Sequence, residues 1–597
     1  MAIKISKDAY AYQLSALSKY PLLTAICVGL AVFAAYLTAL PGIIIGDAVD
    51  ILNEQQALTP GFVSSCVLIL FVAILLFLSL YSVGYAFAHM TWRWYRDAIQ
   101  AFFDHVQNKS MTFHDQVNSK KLLAMAMQDI QWVRFSLNPA LRILITAISS
   151  LFITTVILFG IDPVLGAIMA IGTPVYLYFA YRYAMSIEPV RRSRSEQNEE
   201  LTSISQEVFS GIEVVKSFGT EKVESSKFSR VSKIYEELTA REGRLAAFYI
   251  PVLVLSVITS LCFVYAAYQI LSGTYPVGTL AKVIGLLVAV DSFSLMVPRF
   301  LLVLRGAHVN AQRIIDLLNY EDPFEEPTDP VKAVNGKSDI IFENVNFNYS
   351  NNGKSGSLAL NNLNIVIPAG SRVALIGGPG SGKSTFLKLL LRLYDPISGR
   401  ILINGVDLKT VSTKAVRKSI GLVEQDIFLF RKSIRENIKF GNSGATEENI
   451  IEAAKRAQAH EFIDNLPMKY DTVIGERGMT ISGGQRQRIA IARTILHDPK
   501  ILLLDDSVSA IDAKTEFFLR KALDEVMQER TSITVTQRLR TLLESDLIVI
   551  LEKGKLVASG SHNELIQSSK HYQRIFERLP GALQYLVTRQ KQTTEVH

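Results

Sequence analysis

The spacing of apolar positions changes about halfway along this chain. Up to Leu304 they gather into long runs; from Asp339 on they fall into short β-like runs and helical patterns among charged residues. Six of the long runs approach the roughly 20 residues that cross a bilayer as a helix: Leu22–Ile45, Phe62–Ala88, Ala140–Gly160, Pro163–Tyr183, Ala246–Leu271 and Val277–Leu304. Spans one and two, three and four, and five and six are joined by short links, whereas Met90–Pro139 and Ala184–Leu245 are long. The long links lack Pro/Gly clusters, and Ile204, Val208, Ile212 and Val215 recur at helical spacing, so helices that run on well past the membrane are expected. Ahead of the first span, Lys4–Lys19 reads either as an amphipathic helix on the inner surface or as a loose tail.

Charge fixes the orientation of these spans. The chain has 597 residues, 49% of them hydrophobic, and a formal net charge of +7. A basic protein raises the question of nucleic acid, but the cations lie elsewhere. The first long link holds Arg93, Arg96, Lys109, Lys120, Lys121 and Arg134, and the second has a similar excess. The short links carry Asp47, Asp50, Glu54 and Asp162 with no Lys or Arg. By the positive-inside rule the long links and both termini are cytoplasmic, so the charge reads as membrane orientation and not as nucleic-acid binding. Cys27, Cys66 and Cys262 sit inside apolar runs at no metal-like or disulfide-like spacing and read as packing residues. The first apolar run is too long for a cleavable signal, and no small-x-small site follows it.

After a charged, proline-containing linker ("EDPFEEPTDPVKAVNGK") comes "SRVALIGGPGSGKSTFLKLLLRLY". It reads as a strand, a glycine loop (Gly377, Gly378, Pro379, Gly380, Ser381, Gly382) and a helix start at Lys383, Ser384 and Thr385. Glycines let backbone N–H groups close around phosphates, Lys383 reaches the outer ones, and the Ser384 hydroxyl is placed to bind Mg²⁺. Upstream, Tyr349 in "VNFNYS" is placed to stack on an adenine ring. Downstream, Gln425 in "GLVEQDIFLF" supplies a polar contact near the metal. "TISGGQRQRIAIARTIL" then sets Ser482, Gly483, Gly484 and Gln485 at a second helix start, followed by the acidic strand "ILLLDD", by "SAID" and by Gln537. The fold expected is an α-helical six-span transmembrane domain (residues 1–320), a linker (321–338), an α/β P-loop nucleotide-binding domain (339–580) and a tail (581–597).

The order, types and spacings of these pieces resemble the ATP-binding cassette family, and the six spans in front resemble its exporter branch. The resemblance covers nearly the whole chain. It implies ATP and Mg²⁺ as ligands, with Tyr349 as the adenine-stacking residue, Gly377–Thr385 as the phosphate loop, and Ser384, Gln425 and Asp505 around the metal. The signature matches Ser482–Gln485, with Ile481 where Leu is usual, and Asp512 of "SAID" joins the hydrolytic set. "TVIGERG" (Thr472–Gly478) resembles the exporter stretch that lies against the membrane-domain helices. In this family ATP lies between two cassettes, the phosphate loop of one facing the signature of the other. A chain with one cassette and six spans is then half of a dimer.

Two positions of the hydrolytic site also depart from the family pattern. The acidic strand normally ends Asp-Glu, and the Glu polarises the attacking water; here it ends Asp505-Asp506. Gln537 stands where the family has a histidine. An Asp carboxylate sits one methylene further back, about 1.5 Å, and a glutamine cannot carry positive charge. The chain thus resembles the degenerate-site subunit of a heterodimeric exporter, whose partner would be a second half-transporter with an intact Glu and His. A homodimer with two slow sites, or an ATP-gated channel or regulator, are the alternatives. The resemblance implies a plasma-membrane protein with a cytoplasmic nucleotide-binding domain, in contact with lipid and with a hydrophobic or amphipathic small-molecule, lipid or peptide substrate. Asp291, mid-way in the sixth span, is a candidate for the substrate cavity, or else a structural partner of Arg299.

Overall fold

The computed structural model describes the chain except residues 1–7, 56–58, 248, 295, 321, 323, 332–338, 350–357, 476–480, 506–512, 529 and 583–597. It divides into two compact units. One comprises Met1–Lys109 and Val117–Glu321, the other Ser110–Gln116 and Asp322–His597.

In the first unit six helical segments are long and apolar enough to cross a membrane: Pro21–Glu54, Pro60–Gln107, Ser119–Ile161, Pro163–Ser210, Glu221–Leu271 and Val277–Leu318. The fourth runs 48 residues, about 72 Å at 1.5 Å per residue, against a hydrocarbon core of about 30 Å. Such helices continue well into the cytoplasm, as the polar helical spacing of the long links predicts. The last two segments each break once, ahead of a proline. Glu221–Ala247 gives way to Ile250–Leu271 before Pro251, and Val277–Ser294 to Val297–Leu318 before Pro298. Proline lacks the N–H that would continue the ladder, and it disfavours helical dihedrals at the residue before it.

Lipid is legible on the second span. Val67, Leu70, Phe71, Ile74 and Phe77 are all at least 60% exposed, a run of apolar surface that a water-facing helix does not present. The opposite behaviour holds between the first and last spans, which approach backbone to backbone. A Cβ placed on Gly42 would lie 2.7 Å from the Gly285 backbone, and one on Gly285 would lie 2.2 Å from the Gly42 Cα. Small residues at such a crossing maximise dispersion contact where water supplies no hydrophobic drive. Beside it, Lys282 Nζ reaches Asp47 at 2.6 Å and Asp50 at 3.7 Å. Sequence reading placed Lys282 inside the sixth apolar run and gave it no partner.

The described part of the N-terminal segment is folded, which argues against a loose tail. Ala9–Gln13 and Ser15–Lys19 form two short helices with Tyr12 and Ala16 buried. The Trp94 indole donates to the Ser15 hydroxyl at 2.8 Å, the Gln13 amide donates to the Leu304 carbonyl at 2.9 Å, and Lys19 pairs with Asp97 at 2.6 Å.

The second unit is built on two sheets. A four-stranded antiparallel sheet has the order β2-β1-β4-β5, from β1 (Ile340–Phe347), β2 (Leu360–Ile367), β4 (Ser398–Ile403) and β5 (Val406–Asp407). A six-stranded sheet has the order β10-β9-β3-β8-β7-β6, from β3 (Arg372–Ile376), β6 (Ile420–Val423), β7 (Ile501–Asp505), β8 (Thr531–Val535), β9 (Leu547–Glu552) and β10 (Lys555–Gly560). Only the β9–β10 pair is antiparallel. The sequences explain the difference. β1 alternates, burying Ile340, Phe342, Val345 and Phe347 on one side, whereas β3, β7 and β9 are near-continuous apolar runs, the mark of strands covered on both faces. One core joins the two sheets through Phe342, Leu375, Phe386, Leu503 and Ile533; another lies beneath the helix Gly483–His497.

Residues 110–116 belong to this second unit although they lie within the first long link of the membrane domain. Phe113 is fully buried, Met111 packs on the inter-sheet core, and the Tyr394 hydroxyl donates to the Asp115 carboxylate at 2.5 Å. The start of the expected linker also packs here. Arg392, itself buried, donates to the Glu325 carbonyl at 3.1 Å and stacks on Phe324, and Val331 forms a bridge with Val411.

Candidate functional site

Register brings the separated motifs to one edge of the six-stranded sheet. Leu375 of β3 pairs with Val535 of β8, Asp505 of β7 pairs with Val535, and Val423 of β6 pairs with Leu504. All four strands are parallel, so their carboxyl ends finish at the same level. Gly377 is the first residue past β3, Gln425 and Gln537 the second past β6 and β8, and Asp505 closes β7. Open parallel sheets bind ligands at this edge.

The turn after β3 is forced to be glycine-rich by its neighbours. A Cβ on Gly377 would meet the Leu551 carbonyl at 2.3 Å, and Gly382 adopts φ +100° with the Ala359 carbonyl 2.7 Å from where a Cβ would stand. Gly382 then caps the helix Lys383–Leu390, so its first N–H groups point into the loop. Lys383 Nζ donates to the carbonyls of Gly377 at 2.8 Å and Gly378 at 2.9 Å. Its charge is thus already over the loop, on acceptors that an incoming phosphate can replace. The Ser384 hydroxyl lies 3.5 Å from the Asp505 carboxylate. A hydroxyl, a carboxylate and the exposed amide of Gln425 on the neighbouring strand end are hard oxygen donors. Mg²⁺ bound to a nucleotide takes few protein ligands of this kind, the phosphates supplying others, so this donor set fits the ion.

The second helix start is equally well formed. The Ser482 hydroxyl accepts from the Gln485 N–H at 3.3 Å while the Gln485 side chain accepts from the Ser482 N–H at 2.9 Å, a reciprocal capping box. Ser482 and Gly483 are exposed, Gly484 is buried, and a Cβ on Gly483 would meet nothing nearer than 3.8 Å. The helix therefore ends in an open, donor-rich tip. Asp506 and Asp512 lie outside the described residues, as do Glu476, Arg477 and Gly478 of the "TVIGERG" stretch.

Tyr349 is 44% exposed, and its hydroxyl lies 3.1 Å from that of Thr385. Its ring stands edge-on to Tyr394 at 5.3 Å, with Lys388 Nζ over both rings at 5.5 and 6.0 Å. Burial, and then the hydrogen bond to Asp115, push the Tyr394 phenol above its ordinary value. Sequence reading missed Tyr394, Lys388 and Asp115: Asp115 and Tyr394 are 279 residues apart and nothing local links them. Asp291 and Arg299 fall on the two sides of the break in the last span, and neither forms an ion pair among the described residues.

This arrangement matches known proteins throughout. A family model described as "ABC transporter transmembrane region" matches residues 24–289, and one described as "ABC transporter" matches residues 360–509. A Bacillus subtilis protein named an uncharacterized ABC transporter ATP-binding protein, YknU, is 33% identical over 480 residues, covering 80% of this chain and 81% of the relative. A candidate multidrug export ATP-binding/permease protein of the same organism, YgaD, is 30% identical over 79% of this chain and 82% of its own length. Among solved structures, a bacterial Atm1-family ABC exporter with ATP bound superposes with a TM-score of 0.82 at 26% identity, covering 94% of this chain and 98% of that one. The chain belongs to the ABC transporter family. It is a multi-pass membrane protein whose cytoplasmic nucleotide-binding domain binds ATP and couples it to export.

Proposed function

We propose that this chain is the degenerate-site half of a heterodimeric exporter, moving a hydrophobic or amphipathic substrate. The observation that carries this reading is the pair Asp506 and Gln537, two changes in one hydrolytic site beside an otherwise complete nucleotide grip. The grip divides into roles. Tyr349 holds the base; the glycine loop and Lys383 hold the phosphates; Ser384, Gln425 and Asp505 hold Mg²⁺. The ion would supply charge neutralisation on the phosphates. Asp506 has one methylene fewer than the family's Glu with which to reach the attacking water, and Gln537 offers a hydrogen bond without a charge. ATP here acts as a long-lived clamp. Ser482 to Gln485 complete the partner's site, where hydrolysis proceeds.

The purified chain alone is expected to bind ATP well while turning it over about 10²–10⁴-fold more slowly than an exporter with an intact base. Equilibrium binding and phosphate release on the same sample check this. Turnover at the rate of ordinary exporters would remove the heterodimer reading.

Asp291 is assigned to the translocation path. Asp291→Asn is expected to alter substrate stimulation of ATPase in the co-purified complex while basal ATPase stays within about twofold. If thermal stability falls and the reversed pair, Asp291→Arg with Arg299→Asp, recovers it, Asp291 has a structural role instead.

A further inference from the structure

The first unit contains a cavity of about 560 Å³ that the nucleotide chemistry does not use. Four helices wall it. Trp132 and Phe135 come from the lead into the third span, Arg191 and Arg194 from the cytoplasmic extension of the fourth, Tyr235 from that of the fifth, and Arg299 and Phe300 from the last. Arg191 and Arg194 lie two to three helical turns past Tyr183, where the fourth apolar run ends, about 12–16 Å beyond it. The cavity therefore stands at the cytoplasmic ends of the spans.

Its charge is one-sided. Three arginines line it and no carboxylate does. Arg191 and Arg194 share the single carboxylate of Glu242, at 3.3 and 2.7 Å, and Arg299 forms no ion pair among the described residues. Among the described residues Glu242 is thus the one acid paired with three lining arginines, around a space faced by indole, phenyl and phenol rings. Guanidinium groups recognise carboxylate, sulfonate or phosphate through paired N–H donors, and a cavity of this size with aromatic walls accommodates an apolar body. We propose that this cavity is a binding site for an anionic amphiphile, its charged head on Arg299 and Arg194 and its apolar part along Trp132, Phe135 and Phe300. The assignment rests on the exporter reading for its role as a substrate entry site, but the binding it predicts needs neither a partner nor ATP. The same chemistry is offered by an anionic lipid and by a soluble amphiphile.

The test uses the full chain in nanodiscs of neutral phosphatidylcholine, without nucleotide, with radiolabelled dodecyl phosphate as probe. The expected result is saturable binding that dodecyltrimethylammonium, a cation of equal chain length, does not displace. Arg299→Gln should weaken it about tenfold or more, with Arg299→Lys recovering part of the loss. Ser195→Glu, which adds a carboxylate at an exposed lining position, should weaken it similarly. ATP binding by the same samples reports whether the variants are folded. Displacement of the probe when phosphatidylglycerol replaces part of the bilayer identifies a lipid ligand. Probe binding undisturbed by phosphatidylglycerol, with ATPase stimulation in the co-purified complex, identifies a soluble one. Equal binding of the anionic and cationic probes, or unchanged binding in both Arg299→Gln and Ser195→Glu, overturns the proposal. Either result leaves the nucleotide-site reading untouched, and a chain with fast ATP turnover would sink that reading while leaving this one standing.

Discussion

Asp506→Glu combined with Gln537→His is expected to raise ATP turnover at this chain's own phosphate loop by about 10²-fold or more, the usual worth of a positioned general base. The expectation rests on how complete the remainder of the site is. Lys383 already lies over the loop, Ser384 and Asp505 converge at 3.5 Å, and Gln537 stands two residues past the end of β8, beside the β3 and β7 ends. Only the group that takes the proton and the group that senses the γ-phosphate differ from the family pattern. Lengthening residue 506 by one methylene moves its carboxylate forward by about 1.5 Å, a displacement of the size that decides whether a base is within reach. The measurement needs the other composite site silent. Ser482→Ala in the same chain supplies that background, because on the proposed reading the signature acts on the partner's ATP. Either substitution alone should give a smaller gain than the pair, since base and sensor act on one reacting group. No gain from the pair would place the defect in the partner's signature.

The spans and the phosphate loop were legible in the sequence for one reason: each answers a constraint that local residue types alone can meet. A backbone in hydrocarbon must satisfy its own hydrogen bonds, which demands long unbroken apolar helices. A turn whose Cβ positions are filled by the carbonyls of Ala359 and Leu551 demands glycine at Gly382 and Gly377. What escaped were pairings between distant residues. Asp47 looked like a link acid, and nothing in the sequence tied it to Lys282, which it meets beside the close approach of Gly42 and Gly285. Residues 110–116 looked like any part of a polar link, and it is packing by Met111 and Phe113 and the Asp115–Tyr394 hydrogen bond that assign them to the nucleotide-binding unit. The arginine cavity is of the same kind, assembled from four helices that contribute from one to four residues each. The converse also holds. Asp506 was read from the sequence alone, because the difference between Asp and Glu is one of identity, whatever the surrounding geometry.

The division of labour predicts an unusual ranking of two mutations in this one chain. Lys383→Ala removes a cation from the phosphate loop, where on the proposed reading turnover is already slow. It should weaken ATP retention at the clamp and reduce transport in part, with most of the complex's ATPase surviving. Ser482→Ala, or a bulky residue at Gly483, acts on the other composite site. The exposed tip of the helix Gly483–His497 presents a hydroxyl and backbone N–H groups, which in the proposed dimer face the γ-phosphate where charge develops during cleavage. Removing one donor from such a position costs about 2.7–4 kcal/mol, or roughly 10²–10³ in rate. Part of the loss from Ser482→Ala would come from the helix cap, because that serine also accepts from the Gln485 N–H. Such caps are worth about 1 kcal/mol, too little to account for the whole effect, and a melting curve separates the two contributions. Substitution at Gly483 spares the cap and meets no neighbour within this chain nearer than 3.8 Å. Loss of ATPase from Gly483→Ala, which adds only that Cβ, is therefore expected to arise across the proposed dimer. The signature lesions should therefore be the more severe by at least tenfold in steady-state ATPase of the co-purified complex. If Lys383→Ala proves the more damaging, the productive site is built on this chain's own phosphate loop, and Asp506 and Gln537 are competent variants of the hydrolytic pair.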